Sequence, residues 1–152
     1  MLYTGAVLDR RELRTGLVVI GRNEGSRLTR CLDSLADHAH RCVYVDSGST
    51  DDSVSEARRR GIEVVELDMS QPFTAARARN TGFRRLMKIV PDMQYVHFFD
   101  GDCEIHKRWV GKAQRFMDGR ADVGIVYGVQ TERHPERSVY NRLLDIEWDT
   151  PR

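Results

Sequence analysis

The chain has 152 residues, of which 40% are hydrophobic and 31% charged, with a formal net charge of +1. This is enough for one compact domain with a core but not for two, and the composition excludes a disordered chain. The charge balance offers no basis for binding nucleic acid or a membrane surface, since the arginines are interleaved with acids.

The first stretch, Met1 to Gly16, reads as an N-terminal extension over residues 1–15. Asp9, Arg10, Arg11 and Glu12 interrupt any continuous apolar segment, so it lacks the core of a signal peptide. No apolar run approaches a membrane span. Leu17-Val18-Val19-Ile20 is a short apolar run ending at a glycine, as a buried strand does. The polar loop Gly21 to Gly25 follows. Leu28, Cys31, Leu32 and Leu35 then recur at helical spacing, with Ser26 as the expected N-cap.

Cys42-Val43-Tyr44-Val45 predicts a second strand, ending in the turn-rich segment Asp46 to Thr50. Asp51 and Asp52 suit the first turn of a helix running to Arg60, with Gly61 as its stop. Glu63 to Leu67 predicts a third strand. Phe73 to Val90 predicts a longer helix with Phe83, Leu86, Met87 and Val90 as its apolar stripe, ended by Pro91. Tyr95 to Phe99 predicts a fourth strand, followed by Asp100-Gly101-Asp102. Trp109, Val110, Ala113, Phe116 and Met117 mark another helix, Val123 to Tyr127 a fifth strand, and Ser138 to Trp148 a weaker helix. Strands alternating with helices imply an α/β fold whose mostly parallel sheet is covered on both faces.

In such a sheet, ligands bind beyond the carboxyl ends of the strands. Three polar clusters follow strand ends here: Arg22-Asn23-Glu24, Asp46, and Asp100 with Asp102. The two carboxylates of Asp100-Gly101-Asp102 would point the same way from extended backbone, with Gly101 leaving room for a ligand. Their mutual repulsion is relieved by a hard divalent cation, so the pair suits Mg²⁺ or Mn²⁺ shared with phosphate oxygens. The plainer alternative is a surface turn with two solvated acids. Asp46 could cap the following helix or bind a base or ribose. Arg77 and Arg79 open the long helix, where an anion meets the positive end of the dipole, or they belong to a solvated basic face.

The five histidines show no metal-ligand spacing, and His97 reads as a packed strand residue. Cys31, Cys42 and Cys103 form no CxxC pair and are expected as reduced thiols in a cytosolic protein. The dinucleotide fingerprint, the phosphate loop with its lysine and the serine nucleophile elbow are all missing from the sequence.

Four segments together carry a family resemblance. They are Val18-Val19-Ile20-Gly21-Arg22-Asn23-Glu24, Val45-Asp46-Ser47-Gly48-Ser49-Thr50-Asp51, Ala76-Arg77-Ala78-Arg79-Asn80-Thr81-Gly82 and Phe99-Asp100-Gly101-Asp102. In this order and spacing they resemble family 2 glycosyltransferases. The likeness is close over residues 15–128 and looser through His134-Pro135-Glu136 and Tyr140-Asn141-Arg142 to Trp148-Asp149-Thr150-Pro151.

The resemblance implies a Rossmann-like GT-A fold spanning the chain as one domain. It implies a metal-dependent, inverting transfer from a nucleoside-diphosphate sugar, with a UDP-sugar favoured. The acceptor would be a saccharide, a lipid-linked molecule or a protein. Gly21, Arg22, Asn23 and Glu24 would line the nucleoside pocket, and Asp46 would bond the nucleobase. Arg79 and Asn80 would lie near the diphosphate or sugar. Asp100 would contact ribose or sugar, and Asp102, with Asp100, would hold Mn²⁺ or Mg²⁺. Family members continue into an acceptor-binding segment that carries the general base, and no residue up to Arg152 matches its motif. A donor-binding fragment without turnover is therefore the alternative, and a sugar nucleotidyltransferase a weaker one. The expected location is cytoplasmic, at most peripheral to the inner membrane face.

Overall fold

The computed structural model describes residues 14–148. The expected extension before Arg14 and the Asp149-Thr150-Pro151 motif lie outside the described residues. The described residues divide into two compact units, 14–114 and 115–148, with the division falling inside a helix.

The first unit is built on four parallel strands: β1 (Thr15–Gly21), β2 (Cys42–Asp46), β3 (Glu63–Glu66) and β4 (Tyr95–Asp100). Their order across the sheet is β3-β2-β1-β4. β1 is central because its residues are apolar at consecutive positions, which suits a strand buried on both faces. The chain winds from β1 outward to β3, then crosses back to place β4 on the other side of β1. Strand order therefore reverses between β1 and β4.

Alternation along β1 divides the core in two. Leu17 and Val19 pack with Leu28, Leu32, Tyr44, Ala57 and Val110 on one face. Val18 and Ile20 pack with Val43, Val45, Ala78, Leu86 and Val90 on the other. The first face is covered by α1 (Ser26–Ser34), α2 (Ser53–Arg59) and the start of α4 (Trp109–Asp118). The second is covered by α3 (Ala75–Ile89). The chain thus has the expected α/β fold, a parallel sheet with helices on both faces, consistent with the GT-A architecture.

α3 approaches the sheet closely because Gly82 has no side chain. A Cβ there would come within 2.5 Å of Val18 Cγ1 and 2.8 Å of Val45 Cγ2. The helix begins at Ala75 rather than Phe73, since the Thr74 side chain accepts the Arg77 N–H and fixes the first turn. Ser26 is not the N-cap of α1. It is the first helical residue, and Gly25 precedes it at φ 54° with no side-chain cap. Asp51 and Asp52 lie just outside α2 rather than in its first turn: Asp52 is the N-cap position and makes no side-chain cap bond, while Asp51 Oδ1 accepts the Ser53 N–H at 3.0 Å. Gly61 follows α2 at φ 70°, the left-handed conformation that ends a helix.

The second unit departs from expectation. Val123 to Tyr127 form no strand, and Ile125 and Tyr127 are 83% and 77% exposed. An alternating apolar run becomes a strand only when a neighbour pairs with its backbone, and no ladder among the described residues includes this one. The unit also contains α5 (Val139–Trp148), which has no buried residue. Glu132 anchors the approach to α5: its Oε1 accepts the His134 N–H at 3.1 Å and Asn141 Nδ2 at 3.0 Å. No helix among the described residues is long and apolar enough to cross a membrane.

Candidate functional site

Register places the carboxyl ends of the strands at one level. Gly21 pairs with Asp46, and Ile20 with Asp100. Two loop bonds extend the alignment: Ser47 N–H to the Gly21 carbonyl at 3.0 Å, and Gly101 N–H to the Ile20 carbonyl at 2.7 Å. The polar clusters that follow these strands are brought together by the same ladders that build the core.

A cleft of about 320 Å³ opens at this edge, where the strand order reverses. Its wall includes Gly21, Arg22 and Glu24 from the loop after β1, and Asp100 and Asp102 from the end of β4. Arg79 enters from α3, and Phe73 from the segment before it. A larger groove of about 440 Å³ lies along Phe83, Met87, Pro91 and Tyr95, and no charged residue lines it. Convergent polar groups, rather than size, distinguish the first cleft as the candidate site.

Six of the nine expected site residues, Gly21, Arg22, Glu24, Arg79, Asp100 and Asp102, face that cleft. Asn23, Asp46 and Asn80 do not line it. Asn80 is exposed on α3, one position beyond Arg79. Asn23 has positive φ, 54°, alone among the described non-glycine residues. In that conformation its N–H donates to Ser49 Oγ at 2.9 Å, and its Oδ1 accepts the Thr50 N–H at 2.7 Å. Asn23 stitches the loop after β1 to the loop after β2. Gly25 N–H adds a second stitch to Asp51 Oδ2 at 3.0 Å. Hydrogen bonding from Ser53, and then from Gly25, holds the Asp51 carboxyl below its ordinary range.

Asp46 is 2% exposed. Its Oδ1 accepts the Tyr44 hydroxyl at 3.1 Å, and its Oδ2 accepts the Gly48 and Ser49 N–H groups at 2.9 and 2.8 Å. Most of a carboxylate's acceptor capacity, about four sites, is thus consumed within its own turn. Burial, then the Asp46 charge, raises the Tyr44 hydroxyl well above its usual range, so this group stays a donor.

Glu24 leans across Gly21 into the cleft. Arg27 Nη2 stands 2.8 Å from its Oε2, but the alignment makes no hydrogen bond, and that buried oxygen has no donor. Arg22 lies over the Phe73 ring at 5.1 Å, a cation–π contact at the cleft wall. Arg79 Nη2 donates to Asp100 Oδ1 at 2.8 Å. Arg77, the other arginine opening α3, instead folds back onto the carbonyls of Asp68 and Gln71 at 2.8 and 3.2 Å.

Gly101 is needed for packing. A Cβ there would meet the Ile20 carbonyl and Leu28 Cδ1, both at 3.2 Å. The glycine is buried while the aspartates on either side are exposed. The Cys103 thiol lies 3.6 Å from Asp102 Oδ1; burial first, and then the Asp102 charge, raise it to about 11. Behind the site, His97 is packed as expected. Trp109 Nε1 donates to its Nδ1 at 3.2 Å, and burial lowers its basicity.

Among the described residues, no group of three or more His, Cys, Asp or Glu side chains is arranged to hold a metal. The cleft offers two exposed carboxylates of one loop, the donor set of a cation that completes its shell with water and substrate phosphates. Asp100 and Asp102 are thus acidic groups of the type a hard divalent cation would take.

Comparison with known proteins agrees with the α/β fold. The family model described as glycosyl transferase family 2 matches residues 17–150. A TPR repeat-containing protein of Synechococcus elongatus is 33% identical over 76 residues, which cover 50% of this chain and 18% of that protein. The chain thus matches less than a fifth of that relative's length.

Proposed function

The chain belongs to glycosyl transferase family 2, and from that premise we propose that it binds a nucleoside-diphosphate sugar, UDP-linked, with Mn²⁺ or Mg²⁺ in the cleft beyond β1 and β4. The observation that carries this reading is the convergence of Arg79, Asp100, Asp102 and Glu24 on one cleft at the reversal of strand order.

Asp102, with Asp100, would hold the cation. The cation would supply Lewis-acid stabilisation to the leaving diphosphate. Arg79 supplies a guanidinium for diphosphate oxygens, a charge-assisted contact that strengthens as negative charge develops there. Phe73 and Arg22 form a flat wall for the nucleoside. Asp46 serves that pocket through the turn it holds, presenting Ser47 to the cleft. Transfer to a saccharide, lipid-linked or protein acceptor, with inversion at the sugar carbon, completes the reading. A cytoplasmic location goes with it.

Calorimetry with UDP, with and without Mn²⁺, tests the proposal. UDP should bind at least about tenfold more tightly with Mn²⁺, and Asp102→Asn should remove most of that gain. Equal UDP affinity with Mn²⁺ and with chelator would contradict the metal reading. Binding without sugar transfer or hydrolysis would leave a donor-binding role alone.

A further inference from the structure

Resting on the donor-site reading above, we propose that Arg79 and Asp100 form a latch that withholds Asp100 from the cation until a diphosphate arrives. The two carboxylates at the cleft are not equivalent. Asp100 Oδ1 is taken by Arg79 Nη2 at 2.8 Å, whereas the Asp102 carboxylate has the Cys103 thiol beside it and no cationic partner among the described residues. Arg79 neutralises one of the two charges that would attract a cation, and it occupies one of their four oxygens. Without nucleotide, Asp102 is the one of this pair whose carboxylate carries no guanidinium among the described residues.

The latch is weak enough to exchange. The side chains of Arg79 and Asp100 are 38% and 55% exposed, so solvent screens their attraction. Arg79 has no other hydrogen-bond partner among the described residues. A diphosphate carries more charge than a carboxylate and offers a guanidinium paired oxygens, so it competes effectively for Arg79. When Arg79 turns to the diphosphate, Asp100 is released to the cation. Nucleotide and cation therefore bind cooperatively, and by reciprocity each tightens the other. Arg79 is a positioning residue for Asp100 before it becomes a ligand for phosphate.

Electron paramagnetic resonance of free and bound Mn²⁺ tests the latch without any turnover. Wild type, Arg79→Met and Arg79→Lys are titrated with Mn²⁺ in the absence and presence of UDP. Methionine keeps a helix-forming, unbranched side chain, and thermal melting confirms the fold of each variant. Without UDP, Arg79→Met should bind Mn²⁺ about two- to fivefold more tightly than wild type, while Arg79→Lys stays near it. With UDP, the gain in Mn²⁺ affinity should shrink in Arg79→Met. If Arg79→Met binds Mn²⁺ no better than wild type without UDP, while the wild type still shows UDP-dependent Mn²⁺ binding, the latch is wrong and the donor-site reading stands. A wild type whose Mn²⁺ affinity ignores UDP overturns both.

Discussion

Val18-Val19-Ile20 and Ile125-Val126-Tyr127 are both short runs of branched or aromatic residues, and they meet opposite fates. The first is enclosed between β2 and β4, with Val18 and Val19 fully buried. The second has Ile125 and Tyr127 largely in solvent. Composition alone does not separate them. What differs is backbone partnership: β1 satisfies its N–H and C=O groups on both edges, and the later run has no ladder among the described residues. A strand is a property of a pair.

This contrast can be broken most forcefully at Asp46, where the first unit stores a buried charge. Asp46→Ala strips the acceptor from the Tyr44 hydroxyl and from two backbone N–H groups. It should cost about 3–5 kcal/mol of stability, read by urea unfolding, because donors left buried without acceptors lose their full desolvation energy. A loss below about 1 kcal/mol would show that the turn does not depend on this carboxylate.

A smaller effect sharpens the contrast through pH. His97 has a folded pKa depressed below 6.5 by burial. The unfolded chain therefore takes up a proton first as pH falls. The stability that His97 contributes is complete above pH 6.5 and is lost as pH drops through the depressed folded value. The limiting slope for one proton is about 1.4 kcal/mol per pH unit. Melting of wild type and His97→Asn should diverge in slope between pH 6.5 and 5. Asp51 acts in a separate window: its pKa is lowered from 3.8, so its contribution holds above that pH and fades only below it. Parallel melting curves from pH 7 to 5 would rule out the histidine as the cause.

The smallest change is expected at Ile125. Ile125→Ser should alter stability by no more than about 0.5 kcal/mol, since an exposed side chain makes little contact to lose. Val18→Ala, by comparison, should cost about 1–3 kcal/mol in the same unfolding assay. Equal costs at the two positions would erase the distinction drawn here.

The centre of the sheet, β1 and β2, was legible in the sequence because these strands are apolar at consecutive positions and end at glycine or aspartate. Leu17 to Ile20 and Cys42 to Val45 each lie inside an observed strand. The position of the cleft was legible for the same reason. The environment of each acid was not. Asp46 and Asp100 both end strands, but Tyr44 and the turn N–H groups enclose the first, while β4, at the sheet's outer edge, leaves the second in solvent. Asn23 gave no advance sign of its left-handed backbone, which depends on Ser49 and Thr50, more than 20 residues away. Gly101 was singled out for the room it leaves a ligand, and nothing in the sequence signalled that the Ile20 carbonyl also crowds this position.

The pairing of Ile20 with Asp100 sets a tolerance for the whole site. Moving β4 by a single residue against β1 would carry an acid to the opposite face of the sheet and, in the same step, take Phe99 out of the interior. Chemistry and cohesion therefore share one alignment. Selection cannot adjust the spacing of the carboxylates by sliding this strand, and any retuning of the cleft has to come from the loops that follow it.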